Sequence, residues 1–224
     1  ASNLNFRSIS SNGATNGIVL NNTGASGGLT VSGNGGTCTS VATCTGGTIQ
    51  SATTGISLTN TRNLSIDRMF ILNTTASGIQ GTTTVNFSFT NGRIENSGTG
   101  GGAQTSNIAF NTDSAGTENN VSGTFTVTGC TLLNAFFHGI SVKNFNGTLS
   151  SVNVSNNTIT SATTIANSKG HGIQFNAFGT SPGGATTASI TGATINLNTI
   201  TNFPSDSGIQ VIGGNAVEGG ASST

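Results

Sequence analysis

Gly17-Ile18-Val19-Leu20 returns along the chain as Gly55-Ile56-Ser57-Leu58, Gly139-Ile140-Ser141-Val142, Gly172-Ile173-Gln174-Phe175 and Gly208-Ile209-Gln210-Val211. A shorter copy is Gly78-Ile79-Gln80, and Asn107-Ile108-Ala109-Phe110 carries Asn in place of Gly. Ahead of each copy stand two apolar residues five apart, as in Val154/Ile159, Ile195/Ile200, Leu4/Ile9, Ile66/Ile71, Phe89/Ile94 and Val127/Leu132. Self-similarity at a few tens of residues marks a repeat architecture, and here each unit reads as a set of short strands.

The second residue of each pair serves as an anchor: Ile9, Ile49, Ile71, Ile94, Leu132, Ile159 and Ile200, with gaps of about 40, 22, 23, 38, 27 and 41 residues. The shortest gap is about one turn of a parallel β-solenoid, and the longer ones carry loop insertions. Two such turn-rich loops follow Ile94 (through 97–102) and Ile159 (through 161–167). In a coil of this kind each residue stacks on its counterpart about 4.8 Å away, so Ile and Val build continuous inner ladders. Gly before Ile suits a bend where a Cβ would clash or where φ is positive. Asn73, Asn96, Asn134 and Asn202, just past the anchors, suit left-handed corners whose amides bond along the stack. No segment carries a sustained helical period. The expected fold is all-β: a single-stranded, right-handed parallel β-helix of about seven rungs, one domain over 1–224, with rungs over about 4–212 and a Gly-rich tail at 213–224.

Composition bounds the function. Six basic and six acidic residues give no net charge, and no basic cluster exists to displace counterions from a nucleic acid. No apolar run approaches the roughly 20 residues of a membrane-spanning helix. Low charge also removes the repulsion that keeps proteins apart, which favours self-association. Of three cysteines, Cys38 and Cys44 lie six apart in a Gly/Thr-rich insertion, and a local disulfide there is expected, with free thiols as the alternative. Such a bond places the chain in an extracellular or cell-surface setting. Cys130, between Val127 and Leu132, reads as a packed thiol.

The alternation of Gly-Ile-x-Val with Val-x-x-Asn-x-Ile resembles the right-handed parallel β-helix repeat of pectin-lyase-like proteins, in texture the Gly/Thr/Asn-rich repeats of large bacterial surface and secreted proteins. The resemblance covers about residues 4–212. It implies the fold, and a family that includes lyases, hydrolases, tailspikes, adhesins and structural solenoids. Two scraps, Asn111-Thr112-Asp113 and Gly170-His171-Gly172, are similar to polygalacturonase motifs, but the paired aspartates and the basic motif of that family are missing. Glycoside hydrolysis by the usual route needs two placed carboxyl groups. Asp67, Arg68, Arg62, Arg93 and Glu95 read as surface ion pairs.

His138 and His171 each precede a Gly-Ile, so they are expected to stack as a polar pair. Thr158-Ile159-Thr160 and Thr199-Ile200-Thr201 resemble ice-binding rungs, yet Phe70/Leu72 and Arg93/Glu95 interrupt the array. Sequons at Asn21, Asn63, Asn73, Asn86, Asn120, Asn146, Asn153 and Asn156 permit glycosylation. The terminal strands, with Leu4, Phe6 and Ile9 at one end and Ile209, Val211 and Ile212 at the other, carry no charged or helical cap. An uncapped edge recruits other chains. The expected role is that of a non-enzymatic structural solenoid without cofactor or metal, partnered by its own copies head to tail or by adjoining repeats. A secreted polysaccharide-binding or polysaccharide-cleaving protein is the alternative, and an ice-binding solenoid the third.

Overall fold

In the computed structural model, residues 3–101, 105–114, 116–161, 170–178 and 188–214 are described. Most of the loop after Ile159 (162–169), part of the loop after Ile94 (102–104) and the tail from 215 lie outside them. Twenty strands and no helix occur among the described residues, and every strand pairing is parallel. A 13-stranded and a 7-stranded sheet result, an arrangement consistent with a β-solenoid.

Three of the inward ladders follow the repeated phrases of the sequence. The Gly-Ile phrase forms the first: Ile18, Ile56, Ile79, Ile108, Ile140, Ile173 and Ile209 stand directly opposite one another in turn. The second runs Phe6, Val31, Ile66, Phe89, Val127, Val154 and Ile195. The third is the anchor ladder, Ile49, Ile71, Ile94, Leu132, Ile159 and Ile200. Burying such β-branched and aromatic chains on a pleated surface contributes roughly 1.5–3 kcal/mol each.

The anchor ladder corrects one expectation. Ser11, not Ile9, stands opposite Ile49. The Ile9 N–H instead meets the Gly46 carbonyl (3.1 Å), where the insertion carrying Cys38 and Cys44 rejoins the sheet. Leu4 and Ile9 have the same spacing as Phe6 and Ser11, two residues early. Ile9 still packs half-buried against the core.

The glycine of the Gly-Ile phrase now has a specific reason. A Cβ on Gly17, Gly55, Gly78, Gly139 or Gly172 would strike the Cγ2 methyl of Ile49, Ile71, Ile94, Ile159 or Ile200, respectively. Each methyl belongs to the anchor that follows its glycine along the chain, on the next strand of the anchor ladder. None of these glycines has positive φ, so close approach decides the residue. The exception is consistent with this rule. Asn107 replaces Gly where the following anchor is Leu132, which has no branch at Cβ. The buried Asn107 instead donates its Nδ2 to the Leu133 carbonyl (3.4 Å).

Corners use the left-handed region. Asn73, Asn96, Asn134 and Asn202 have φ of 56°, 56°, 53° and 63°. Asn96 donates Nδ2 to Asn73 Oδ1 (2.8 Å), and Asn134 donates to Asn96 (3.1 Å), so the amides form a column. Inside, Phe87, Phe110, Phe125 and Phe175 pack edge to face or tilted, with ring centroids 4.9–5.8 Å apart, and the Phe110 ring fills the space that a Cβ on Gly81 would need.

Leu132→Ile should place a branch methyl against Asn107 and cost about 1–3 kcal/mol. Combined with Asn107→Gly the loss should shrink, giving a coupling of at least about 1 kcal/mol in urea denaturation. Strictly additive losses would show that the two residues do not share the notch.

Candidate functional site

Residues 32–47 leave the core between Val31 and Thr48 and fold over the outer side of the anchor sheet. Cys38 and Cys44 are joined by a disulfide within this loop. The bridge packs on Phe70 and Leu72, the outward residues flanking Ile71, and Arg93 lies 5.5 Å from the Phe70 ring centre. Beside it a groove of about 450 Å³ runs along the first strands, lined by Ser8, Ser10, Asn12, Gln50 and Val41 among others. Val41 is exposed at the loop tip.

A second feature lies on the outer side of the Gly-Ile strands. Along one row Ser141 donates to Gln174 Oε1 (2.8 Å) and Gln174 donates to Gln210 Oε1 (2.9 Å), and Asn111, two positions past that row, donates to Ser141 Oγ (3.2 Å); Asn111, Ser141 and Gln174 are buried. At the upstream edge His138 and His171 stack with ring centres 5.4 Å apart and planes 18° from parallel. The His171 N–H donates to His138 Nδ1 (2.9 Å), which places the proton of neutral His138 on Nε2. Burial, reinforced by His171 and Lys143, pushes His138 down to about 3. Burial also holds His171 below the ordinary range, opposed by the Asp206 carboxylate 3.0 Å from its Nδ1. Downstream, buried Lys143 pairs with Asp113 at 3.3 Å. That pair was not foreseen, because the two residues are thirty positions apart and meet only through the coil. A cleft of about 250 Å³ opens near it, between Ser77, Gln80, Thr105 and Asp113.

Among the described residues the remaining acids are engaged by neighbours, Glu118 accepting from Ser114 Oγ (3.1 Å) and the Thr117 N–H (2.9 Å). Asp67 pairs with Arg68 and accepts from Thr90 Oγ1 (2.9 Å) and Asn91 Nδ2 (2.8 Å). Glu95 pairs with Arg93 at 2.9 Å. The two polygalacturonase-like scraps lie at opposite ends of the Gly-Ile strands, Asp113 after Phe110 and His171 before Ile173. Among the described residues no three His, Cys, Asp or Glu side chains gather where a metal ion would be held. Cys130 is buried beneath Phe89 and Thr128, whose carbonyls accept from its thiol (both 3.3 Å), and burial pushes its pKa up to about 12, which makes it unreactive.

Each end of the described coil shows exposed apolar side chains. Leu4 and Phe6 are 49% and 45% exposed, and Ile209 and Val211 46% and 57%. Ile212 differs from its neighbours: it turns outward, half-buried against Phe145 and Phe178, and so belongs to no inner ladder. Of the sequon asparagines, Asn21, Asn63, Asn73, Asn146 and Asn156 are exposed and Asn86 and Asn153 half-buried. Asn120 leaves the set. It is fully buried, with its Nδ2 donating to the carbonyls of Thr112 (2.7 Å) and Lys143 (2.6 Å), so a glycan has no room there.

Comparison with protein-family models, curated proteins and solved structures returned no match.

His138 gives a pH prediction. Its folded pKa lies below the unfolded value, so the stability tied to its neutral form is complete above about pH 6.5 and is lost as the pH falls toward about 3. Acidification from pH 7 to pH 4 should cost on the order of 2 kcal/mol through this residue. His138→Asn keeps an acceptor for the His171 N–H and should flatten that part of the profile in thermal melts. Identical pH slopes in the two proteins would contradict it.

Proposed function

We propose that this chain is a non-enzymatic structural β-solenoid, a right-handed single-stranded coil of seven rungs that continues into further coil at both ends. The observation that carries the reading is the pairing of the exposed ends. The second ladder begins at exposed Phe6 and finishes at half-exposed Ile195, and the last strand leaves Ile209 and Val211 exposed, while their counterparts at the other end, Ile18 and Leu20, are buried. All strands run parallel, so a following rung presents the same strand direction and the same ladder chemistry. Contact between two different ends of one shape is heterologous, and when it does not close it generates a filament or stalk. The following rung comes from a second copy or from adjoining repeats. The Cys38–Cys44 bond supports an extracellular or cell-surface setting for such a fibre.

The cleft of about 250 Å³ lined by exposed Gln80 together with Thr105, Thr112 and Asp113 supports a second reading, a neutral glycan held against hydroxyl, amide and carboxylate groups. Glycan-array binding that is lost in Gln80→Ala would favour it.

For the structural reading, negative-stain microscopy and light scattering of the purified protein should show concentration-dependent filaments. Their axial repeat should be near seven rungs, roughly 34 Å at the β spacing. A stable monomer at every concentration would leave only the adjoining-repeat form of the proposal.

A further inference from the structure

Leu197 is the most exposed large apolar side chain among the described residues, at 76%, and its φ is 53°. A bulky residue in the left-handed region is an outlier, because its Cβ crowds the backbone. The corner it occupies lies two residues past the second inner ladder. Elsewhere that corner holds Gly33, Arg68, Asn91, Gly129 and Asn156, also with positive φ. Gly and Asn suit that conformation, and Arg68 is held by its bonds to Asp67 and to the Gly36 carbonyl (2.8 Å). Neither reason applies to Leu197. A backbone outlier of this kind points to function when nothing local accounts for it.

The register tells what would lie above it. If the second ladder continues from Ile195 to Phe6 of another copy, then Leu197 falls over that copy's Ser8, Thr199 over Ser10 and Thr201 over Asn12. Ser8, Ser10 and Asn12 line the groove of about 450 Å³ that Val41 and the Cys38–Cys44 loop overhang. The same continuation sets Ser11 on Ile200, so the anchor ladder is weakest at this joint. An apolar contact outside the coil would offset that weakness.

We propose that Leu197 is the knob, and the groove between Ser8 and Val41 the socket, of a head-to-tail joint between two copies of this chain. The inference rests on the structural reading above and specifies its partner. The joint has a direction, because the knob stands on the last strands and the socket on the first. Burying a leucine against Val41 and the disulfide adds affinity at one defined register, and a copy shifted along the edge loses it.

Two variants test the joint. Leu197→Asn restores the residue the corner prefers, so its melting temperature should equal or exceed that of the parent. Its self-association by sedimentation equilibrium should weaken at least tenfold. Val41→Asp, at an exposed loop tip, should weaken it similarly. In the double variant Ser8→Cys/Leu197→Cys, stacked Cα atoms about 4.8 Å apart lie within disulfide reach. Mild oxidation should then give a ladder of covalent oligomers on a non-reducing gel, whereas each single variant gives dimers at most. Buried Cys130 and bonded Cys38 and Cys44 leave the readout clean. Parent protein that associates while both point variants associate equally well and no covalent ladder forms would overturn the joint and leave the filament reading standing. A parent that stays monomeric throughout would overturn the joint together with head-to-tail assembly.

Discussion

The branch methyl of an anchor isoleucine, seated where a glycine lacks its Cβ, is the contact on which the rest of the coil depends. It recurs between Ile49 and Gly17, Ile71 and Gly55, Ile94 and Gly78, Ile159 and Gly139, and Ile200 and Gly172. A ladder of apolar side chains alone tolerates sliding, because isoleucine over valine is nearly as good as isoleucine over isoleucine. A methyl in a notch does not, since a slip of one residue turns every side chain to the other face and sets the methyl against a side chain. The notch also ties two faces of the coil together, since the methyl comes from one sheet and the glycine from the other. That cross-tie fixes where the chain bends as well as which strand lies over which.

Corners do the complementary work with polar groups. A bend at positive φ suits Asn and Gly, and the stacked amides of Asn73, Asn96 and Asn134 satisfy one another along the coil. This explains a composition rich in Asn, Gly, Ser and Thr and poor in charge. A charge repeated at the coil spacing would meet its like at about 4.8 Å, whereas an amide repeated there finds a donor and an acceptor. Among the described residues Arg93–Glu95 and Asp67–Arg68 pair within two positions, and Lys143–Asp113 pairs across the coil. They interrupt rows instead of extending them.

What could be read in the chain follows from the same physics. Gly-Ile was legible as a ladder because all seven copies share one inward slot, and the corner asparagines were legible because only a few residue types accept their φ. The first anchor was misread at Ile9 because an apolar pair of the right spacing happened to lie two residues early, while the true slot holds Ser11. Asn120 carries a sequon like the rest, and only its burial distinguishes it. The Lys143–Asp113 pair was hidden by its sequence separation. Leu197 was hidden for a different reason. It stands inside the phrase Ile195-Asn196-Leu197-Asn198-Thr199-Ile200, where one more apolar residue draws no notice until its φ and exposure are known.

A solenoid with open ends faces a problem that other β proteins solve by charging or covering their edges. Among the described residues Leu4 to Phe6 and Ala193 to Asn196 carry neither device, and Arg7 is the only charge next to them in sequence. Unspecific edge pairing would give aggregates, because backbone groups alone do not distinguish one register from another. A directional contact outside the coil resolves this. It rewards the register in which Ile195 meets Phe6 and leaves the others with an exposed leucine. In the proposed head-to-tail joint, the strained corner at Leu197 and the overhanging disulfide loop are two halves of one specificity device, which would select how the edges meet.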